Sequence, residues 1–220
     1  MCAVRRLEVG KTLSKREREE SSLGGEKSLI YGEVDFAYFS RILRKIAPAH
    51  GGRFYDLGSG TSKAVMVARL LHDFECCVGI EILSSLHCAA SAVVDKFNEH
   101  YVELLASHGR VSPPFSRAVS PFVSRETDSR LRDVQASRQS QEVSVVHDSF
   151  LEQDWSDGDV VFANSTCFED ELMEQMASQA ERMRPGAYFI TFTKGLGSDA
   201  FEILERKRDP ASDDGCVVGN

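Results

Sequence analysis

The chain has 220 residues, of which 42% are hydrophobic and 27% are charged, and its formal net charge is −8. These values are ordinary for a globular protein and exclude collagen-like, mucin-like and disulfide-scaffold classes. We expect no membrane contact and no secretory signal, because no apolar run approaches ~18 residues and the first twenty residues lack an apolar core. The net negative charge argues against sequence-independent binding to the phosphates of DNA, but it would attract a basic protein substrate.

Cysteine and histidine spacings give no sign of a metal site. The chain has six of each residue, but none forms a CxxC or HExxH pattern. Cys76 and Cys77 are adjacent in a strand-like run, where successive side chains point to opposite faces. We interpret the cysteines as small buried hydrophobic residues of a protein in a reducing compartment, and we expect no metal.

Three polar segments flank or interrupt the rest of the chain. Residues 1–28 are densely charged and are predicted to form a flexible or weakly helical tail. Residues from about 109 to 142 are rich in Ser and Arg, and an insertion of that length predicts disorder. Its arginines offer a weak contact with nucleic acid, although a solvated loop is the simpler interpretation. Residues 209–220 are predicted to form a second flexible tail, which leaves one domain over 29–208.

Helix and strand patterns alternate between these segments. Helices are predicted over 34–46, 61–71, 86–105 and 170–183, and strands over 53–57, 76–81, 143–146, 159–163 and 187–193, with 201–206 as a further candidate. Apolar runs that end in a polar residue, as in CCVGIE at 76–81, are typical of buried parallel strands. Repeated β-α-β units predict an α/β fold, a mostly parallel sheet with helices on both faces.

The turn after the first predicted strand carries the motif FYDLGSGTSK. Gly58 and Gly60 permit a tight turn and a close approach of a ligand to the backbone. A DxGxG turn is typical of methyltransferases that bind S-adenosylmethionine (SAM), although a plain strand-to-helix turn is the alternative. Glu81 ends the next strand, 25 residues after Asp56. An acid there can accept hydrogen bonds from ribose hydroxyls, but taken alone it is more often a solvent-facing strand end.

Three further motifs follow strands or open a helix. In DSFLEQDW, Asp148 or Ser149 can hold an adenine amino group and Phe150 can stack on the ring, although a core role for Phe150 competes. DVVFANSTCF ends a buried strand in Asn164, where strand ends of an open parallel sheet face the ligand crevice. It is not NPPF or NPPY, which disfavours methylation of base or glutamine amino groups. YGEV at 31–34 carries little weight alone.

In this order and spacing, the motifs YGEV, FYDLGSGTSKAV, VGIEIL, DSFLEQDW and VVFANSTCF resemble those of the DOT (disruptor of telomeric silencing) methyltransferases, over residues 29–196. That family shares YGE, DLGSGxG, GxE, a DF-like segment and an NN-F motif at a strand end. The resemblance implies a Rossmann-like class I methyltransferase fold with SAM as cofactor. It also implies a lysine in the globular core of histone H3 as acceptor, histone H3 or the nucleosome as partner, and a nuclear location.

The resemblance also implies roles for individual residues. The cofactor would be held by Tyr31, Gly32, Glu33 and Val34 in a lid loop, by Asp56, Gly58, Ser59, Gly60 and Lys63 at the methionine end, by Glu81 at the ribose, and by Asp148 or Ser149 with Phe150 at the adenine. Asn164 would lie at the mouth of the lysine channel with Phe168 nearby, and Asn164 and Tyr31 are the candidate catalytic residues.

The sequence also departs from the family pattern. Ser62 replaces a glycine, Ser165 replaces the second Asn of the strand-end motif, and Lys63 occupies a position that is commonly Gln. The family closes its sheet with a C-terminal hairpin that gives aromatic residues to the lysine channel, whereas residues 209–220 contain no aromatic residue. We therefore expect an incomplete hairpin and an exposed sheet edge, with the cofactor site less affected.

These departures leave two alternatives to a histone lysine methyltransferase. One is a SAM-dependent enzyme that acts on another protein or on a small molecule. The other is a non-catalytic SAM-binding module, favoured by Ser62, the long insertion and the altered C-terminus. If the enzyme acts on lysine, the amine must lose its proton before attack, since its ordinary pKa is ~10.4. No base is evident, so we expect a narrow, desolvating channel with Asn164 as hydrogen-bond acceptor.

Overall fold

The computed structural model of the chain describes residues 3–108, 142–209 and 212–219. Helices α1 to α5 span Ala3–Glu20, Phe36–Ile46, Lys63–Leu71, Ser84–His108 and Asp170–Ala180, and two 3₁₀ turns span Lys27–Leu29 and Ser165–Cys167. Strands β1 to β7 span Arg53–Leu57, Cys76–Glu81, Glu142–His147, Val160–Ala163, Tyr188–Phe192, Glu202–Asp209 and Ser212–Gly219. None of the described helices is long and apolar enough to cross a membrane. Apart from Glu142, the predicted insertion lies outside the described residues.

The seven strands form one sheet in the order β3-β2-β1-β4-β5-β7-β6. The five strands from β3 to β5 in that order run parallel to their neighbours. This arrangement confirms the predicted α/β, Rossmann-like class I methyltransferase fold. The chain reverses its direction across the sheet at β1, which lies between β2 and β4. In open α/β sheets, ligands bind beyond the carboxyl ends of the strands at such a point.

Helices cover both faces of the sheet because alternate strand residues point to opposite sides. On one face, Phe39 of α2 packs with its ring centroid 4.7 Å from that of Phe162 in β4 and 6.1 Å from that of Phe54 in β1. On the other face, Tyr55 and Val161 belong to a second buried cluster that contains α5. Met173 and Met176 of that helix are buried in this cluster.

The expectation of an incomplete C-terminal hairpin and a flexible tail from residue 209 is wrong. Strand β7 pairs antiparallel with β5, placing Val217 opposite Ile190, and β6 pairs antiparallel with β7. The run Cys216–Val218 contains β-branched residues, which favour a strand. The surrounding Asp and Gly residues obscured that signal. Pairing with β7 satisfies the backbone groups of β5, and β6 becomes the edge of the sheet within the described residues.

The N-terminal segment, expected to be a flexible or weakly helical tail, forms one helix over Ala3–Glu20, which agrees with the helical alternative and not with a flexible tail. Its inward face contains Leu7, Gly10, Ser14 and Glu17, which have the spacing of one helical stripe. Gly10 and Ser14 are buried although neither is a large apolar residue. The hydrophobic pattern was weak because small and polar residues make these contacts.

The core of the first face gives a stability prediction. Phe39 is fully buried, whereas Phe36 of the same helix is 49% exposed. Phe39→Ala should lower the free energy of unfolding by about 3–5 kcal/mol, because it leaves a cavity beside the rings of Phe54 and Phe162. Phe36→Ala is the matched control and should change it by about 0.5 kcal/mol or less. Urea denaturation measures both, and equal losses in the two variants would contradict this packing.

Candidate active site

The turn after β1 is built from backbone conformations that favour glycine. Gly58, Gly60 and Ser62 have φ of 77°, 56° and 63°, in the left-handed region. A Cβ at Gly60 would lie 2.5 Å from Cε2 of Tyr31, so no larger residue fits without displacing that ring. Ser62 is fully buried, and its Oγ has no hydrogen-bond partner among the described residues. A left-handed non-glycine residue costs about 1–3 kcal/mol, which explains why a glycine is expected there.

Glu81 ends β2 as a buried carboxylate that connects two turns. Its Oε2 accepts a hydrogen bond from the Gly60 N–H at 2.7 Å, and its Oε1 accepts one from the Leu83 N–H at 2.8 Å. Burial raises the pKa of Glu81, and the hydrogen bonds from Leu83 and Gly60 oppose this rise only in part. An ionised carboxylate has about four acceptor positions. These bonds therefore leave Glu81 able to accept further hydrogen bonds from a ligand.

Asp56 lies one strand away and is also buried, with 3% of its surface exposed. Burial and the neighbouring carboxylate of Glu81 raise the pKa of Asp56 well above its ordinary value. Asp56 does not line the cavity described below. It lies in β1, where it pairs in register with Gly79 of β2.

The segment before α2, predicted to be a lid loop, packs against the turn. The hydroxyl of Tyr31 donates to Glu33 Oε1 at 2.7 Å and lies 2.8 Å from Thr61 Oγ1. Glu33 Oε2 accepts a hydrogen bond from Lys63 Nζ at 3.1 Å. The side chain of Glu33 is 7% exposed and that of Lys63 is 24% exposed, so this ion pair is partly shielded from water. Lys63 thus acts on the site indirectly, by holding the Glu33 side chain in place.

Polar residues at the end of β4 complete the opposite wall. Asn164 Nδ2 donates to the Gly32 carbonyl at 3.2 Å, and Asn164 Oδ1 accepts from Thr166 Oγ1 at 2.9 Å. Asn164 therefore connects the strand end to the lid. Ser165, which replaces a family Asn, is fully buried and donates to the Phe192 carbonyl. This residue fixes the end of β4 to β5 and does not line the cavity.

Two stacked rings form the apolar wall after β3. The rings of Phe150 and Phe168 have centroids 5.8 Å apart and planes 23° apart. Trp155 is fully buried and donates its indole N–H to the Phe150 carbonyl at 2.8 Å, which fixes the loop. Asp148 accepts hydrogen bonds from the Ser149 N–H and from Gln153, within its own loop. Of the two adenine candidates, Ser149 is therefore the one on the cavity.

These elements enclose a cavity of about 200 Å³ at the carboxyl edge of the sheet. Nine predicted site residues line it: Tyr31, Gly32, Glu33, Gly58, Gly60, Glu81, Ser149, Phe150 and Asn164. The other five predicted site residues do not line it: Val34, Asp56, Ser59, Lys63 and Asp148. Val34 is in the core beside α2, and Ser59 packs against Gly79 of β2. In the described part of the chain, no three His, Cys, Asp or Glu side chains are arranged to hold a metal ion.

Sequence reasoning missed part of the cavity wall. The additional lining residues are Ser28, Leu29, Ile30, Ile80, Ile82, Leu83, Leu86, Thr166, Cys167 and Leu172. Ile82 and Leu83 directly follow Glu81, so chain adjacency was a usable signal for them. The residues from Ser28 to Ile30 fall at the boundary of the predicted tail and carry no motif. Thr166 and Cys167 follow Asn164 in the strand-end motif, but only the geometry shows that they face the cavity.

The pKa of Asp56 gives a prediction about stability and pH. Because the pKa is raised in the folded state, the folded protein binds this proton more tightly than the unfolded chain does. The associated stability is fully present below pH 3.8, the ordinary pKa, and is lost as the pH rises from there through the raised pKa. Asp56→Asn should make the decline in melting temperature with rising pH shallower, whereas Asp95→Asn, on the exposed side of α4, should not. An unchanged slope in Asp56→Asn would contradict the assignment.

The geometry agrees with comparisons to known proteins. The family model described as histone methylation protein DOT1 matches residues 25–136. The comparison with curated proteins gave no match. The fold is similar to that of an RNA methyltransferase from Salinibacter ruber in complex with S-adenosyl-L-homocysteine, with a TM-score of 0.53 and 15% identity over 84% of this chain and 92% of that one.

A second similar structure is the rRNA methyltransferase aviRa from Streptomyces viridochromogenes. Its TM-score is 0.53 and its identity is 13%, over 86% of each chain. At these identities the likeness shows the fold alone, and the family match covers about half of the chain. The chain therefore belongs to the DOT1 family of histone methylation proteins, with the fold of a class I SAM-dependent methyltransferase.

Proposed function

We propose that this protein transfers a methyl group from SAM to a lysine in the globular core of histone H3, with the nucleosome as its partner in the nucleus. Methyl transfer from SAM, without regard to the acceptor, follows from the family and the fold, which are those of a SAM-dependent methyltransferase. The histone lysine acceptor is supported by the way the family motifs come together in space. Residues from all five family motifs, from Tyr31 to Phe168, line the same cavity.

The residues of this cavity fit SAM. The buried carboxylate of Glu81 offers acceptor capacity for ribose hydroxyls, and Gly58 and Gly60 let a ligand approach the backbone. Phe150 supplies an aromatic face and Ser149 a polar group on the same wall. Glu33 supplies a carboxylate that can pair with an ammonium group. When bound, SAM supplies a methyl group on a sulfonium, which is already a strong electrophile.

The protein must then present an aligned, neutral amine. Most cavity-lining residues beyond the cofactor candidates are apolar, among them Leu29, Leu83 and Leu86. Such surroundings disfavour the charged form of a lysine and favour loss of its proton. Asn164 lies at the strand end with its amide held between Gly32 and Thr166, so it is placed to orient an entering amine.

The electrostatic surroundings support a basic acceptor. The start of α5 follows the strand-end motif and exposes Glu169, Asp170 and Glu171. Together with the net charge of −8, this acidity favours the approach of a basic protein. A contact between nucleosomal DNA and the basic insertion stays a prediction, since the insertion lies outside the described residues.

A methylation assay tests this function. The full chain is incubated with radiolabelled SAM and, in parallel, nucleosomes, free histones and whole extract. We expect label on H3 in nucleosomes. Label confined to another protein or a small molecule would support the alternative acceptors, and SAM binding without transfer to any acceptor would support a non-catalytic module; each outcome would contradict the proposal.

The role of Asn164 gives a prediction for the same assay. Asn164→Ala should keep SAM binding but lower the transfer rate by about 10- to 100-fold, the worth of one hydrogen bond to a group that becomes charged. Asn98→Ala is the control, because Asn98 is exposed on α4. Wild-type turnover by Asn164→Ala would refute its role.

A further inference from the structure

Helix α1 contacts three chain segments that form the wall of the cofactor cavity. A Cβ at Gly10 would collide with Cε1 of Tyr31, so this glycine lies directly against the Tyr31 ring. Ser14 is 1% exposed and donates a hydrogen bond to the Leu29 carbonyl at 2.8 Å. Glu17 accepts hydrogen bonds at the start of α4. Each contact therefore fixes part of the cavity wall from outside.

The contact of Glu17 consists of two hydrogen bonds to a carboxylate. Its two carboxylate oxygens accept the backbone N–H groups of Ser84 and Ser85 at 2.7 and 2.8 Å. These are the first N–H groups of α4, which no intrahelical carbonyl satisfies, and a negative charge at this end also stabilises the helix dipole. Burial alone would raise the pKa of Glu17, but the hydrogen bonds from Ser85 and Ser84 outweigh it and lower the pKa.

The position of this cap connects it to the cofactor site. Ser84 follows Leu83 directly, and the Leu83 N–H is one of the two backbone groups that hold Glu81. A carboxylate from α1 thus fixes the chain immediately after the residues that orient the ribose-binding acid. Leu7 and Leu13 of α1 pack against the cluster that contains Tyr31 and Leu83.

Tyr31 transmits a second contact from α1 to the site. Its ring lies between two glycines, Gly10 of α1 and Gly60 of the turn. A side chain at either position would collide with the ring. Gly10 meets the Cε1 edge of the ring and Gly60 meets its Cε2 edge, so the Tyr31 ring spans the gap between α1 and the turn.

We propose that docking of helix α1 holds the wall of the cofactor cavity in its binding geometry, and that Glu17 is a positioning residue for SAM binding. Because the docked helix orders the same segments that SAM contacts, docking of α1 and binding of SAM stabilise each other. This inference rests on SAM as the cofactor, which is part of the proposed function, but it is independent of the methyl acceptor.

Calorimetry on the full chain tests the role of Glu17. Glu17→Ala should weaken the binding of SAM and of S-adenosyl-L-homocysteine by about fivefold or more, the low end of typical couplings between sites. Glu17→Gln keeps one acceptor oxygen and should show a smaller loss. Glu20→Gln removes a charge from the same helix at an exposed position and should bind as the wild type does.

If the role of Glu17 were merely structural, Glu17→Ala would lower the melting temperature and leave the SAM affinity of the folded protein unchanged, and that result would overturn the proposal.

Hydrogen exchange on the wild-type chain gives a second test that needs no variant. Saturating SAM should slow exchange of the α1 amides, and unchanged exchange there would also overturn it. Failure to bind SAM at all would instead refute the cofactor, so the two failures are distinguishable.

Discussion

The hydrogen bonds of the Glu81 carboxylate hold the site together. They connect the glycine turn after β1 to the loop after β2, and the acid itself ends the strand between them. A buried carboxylate is costly unless it is paired or hydrogen-bonded, so this arrangement strongly favours one geometry of the two loops. The adjacent Asp56 is a second buried acid, and the Glu81 carboxylate together with burial favours its neutral, protonated form.

The other walls are attached to this centre by specific contacts. The ring of Tyr31 packs on Gly60, the Glu33–Lys63 ion pair fixes the lid to the start of α3, and Asn164 joins the lid to the end of β4. Helix α1 supports the lid from outside. The site is therefore a set of turns held by side chains from other elements, and the sheet supplies the common edge on which they meet.

Much of the fold follows from local pattern. The predicted strands at 53–57 and 76–81 coincide with β1 and β2, because both are apolar runs bounded by glycine or polar residues. The packing of α1 on the domain and the strand β7 were not predicted, and the two have a shared reason. Their contacts use Gly10, Ser14 and main-chain pairing, which a hydrophobic pattern does not register.

The site was predictable where a motif itself touches the cavity, as with Gly58, Gly60 and Glu81. Prediction failed where the side-chain direction decides the role. Asp56 and Lys63 belong to the motif but do not line the cavity, while Ser165 uses its hydroxyl to join two strands. Such distinctions depend on packing between segments far apart in the chain, and a single sequence contains no direct record of it.

Calorimetric titration of SAM into Glu81→Gln tests the central claim most directly. The glutamine amide carries no charge and offers one acceptor oxygen, whereas the carboxylate offers two. We therefore expect the binding free energy of SAM to weaken by ~1.5–3 kcal/mol. Glu75→Gln, at an exposed position just before β2, should leave the affinity unchanged. A folded Glu81→Gln variant that binds SAM as tightly as the wild type would contradict the account.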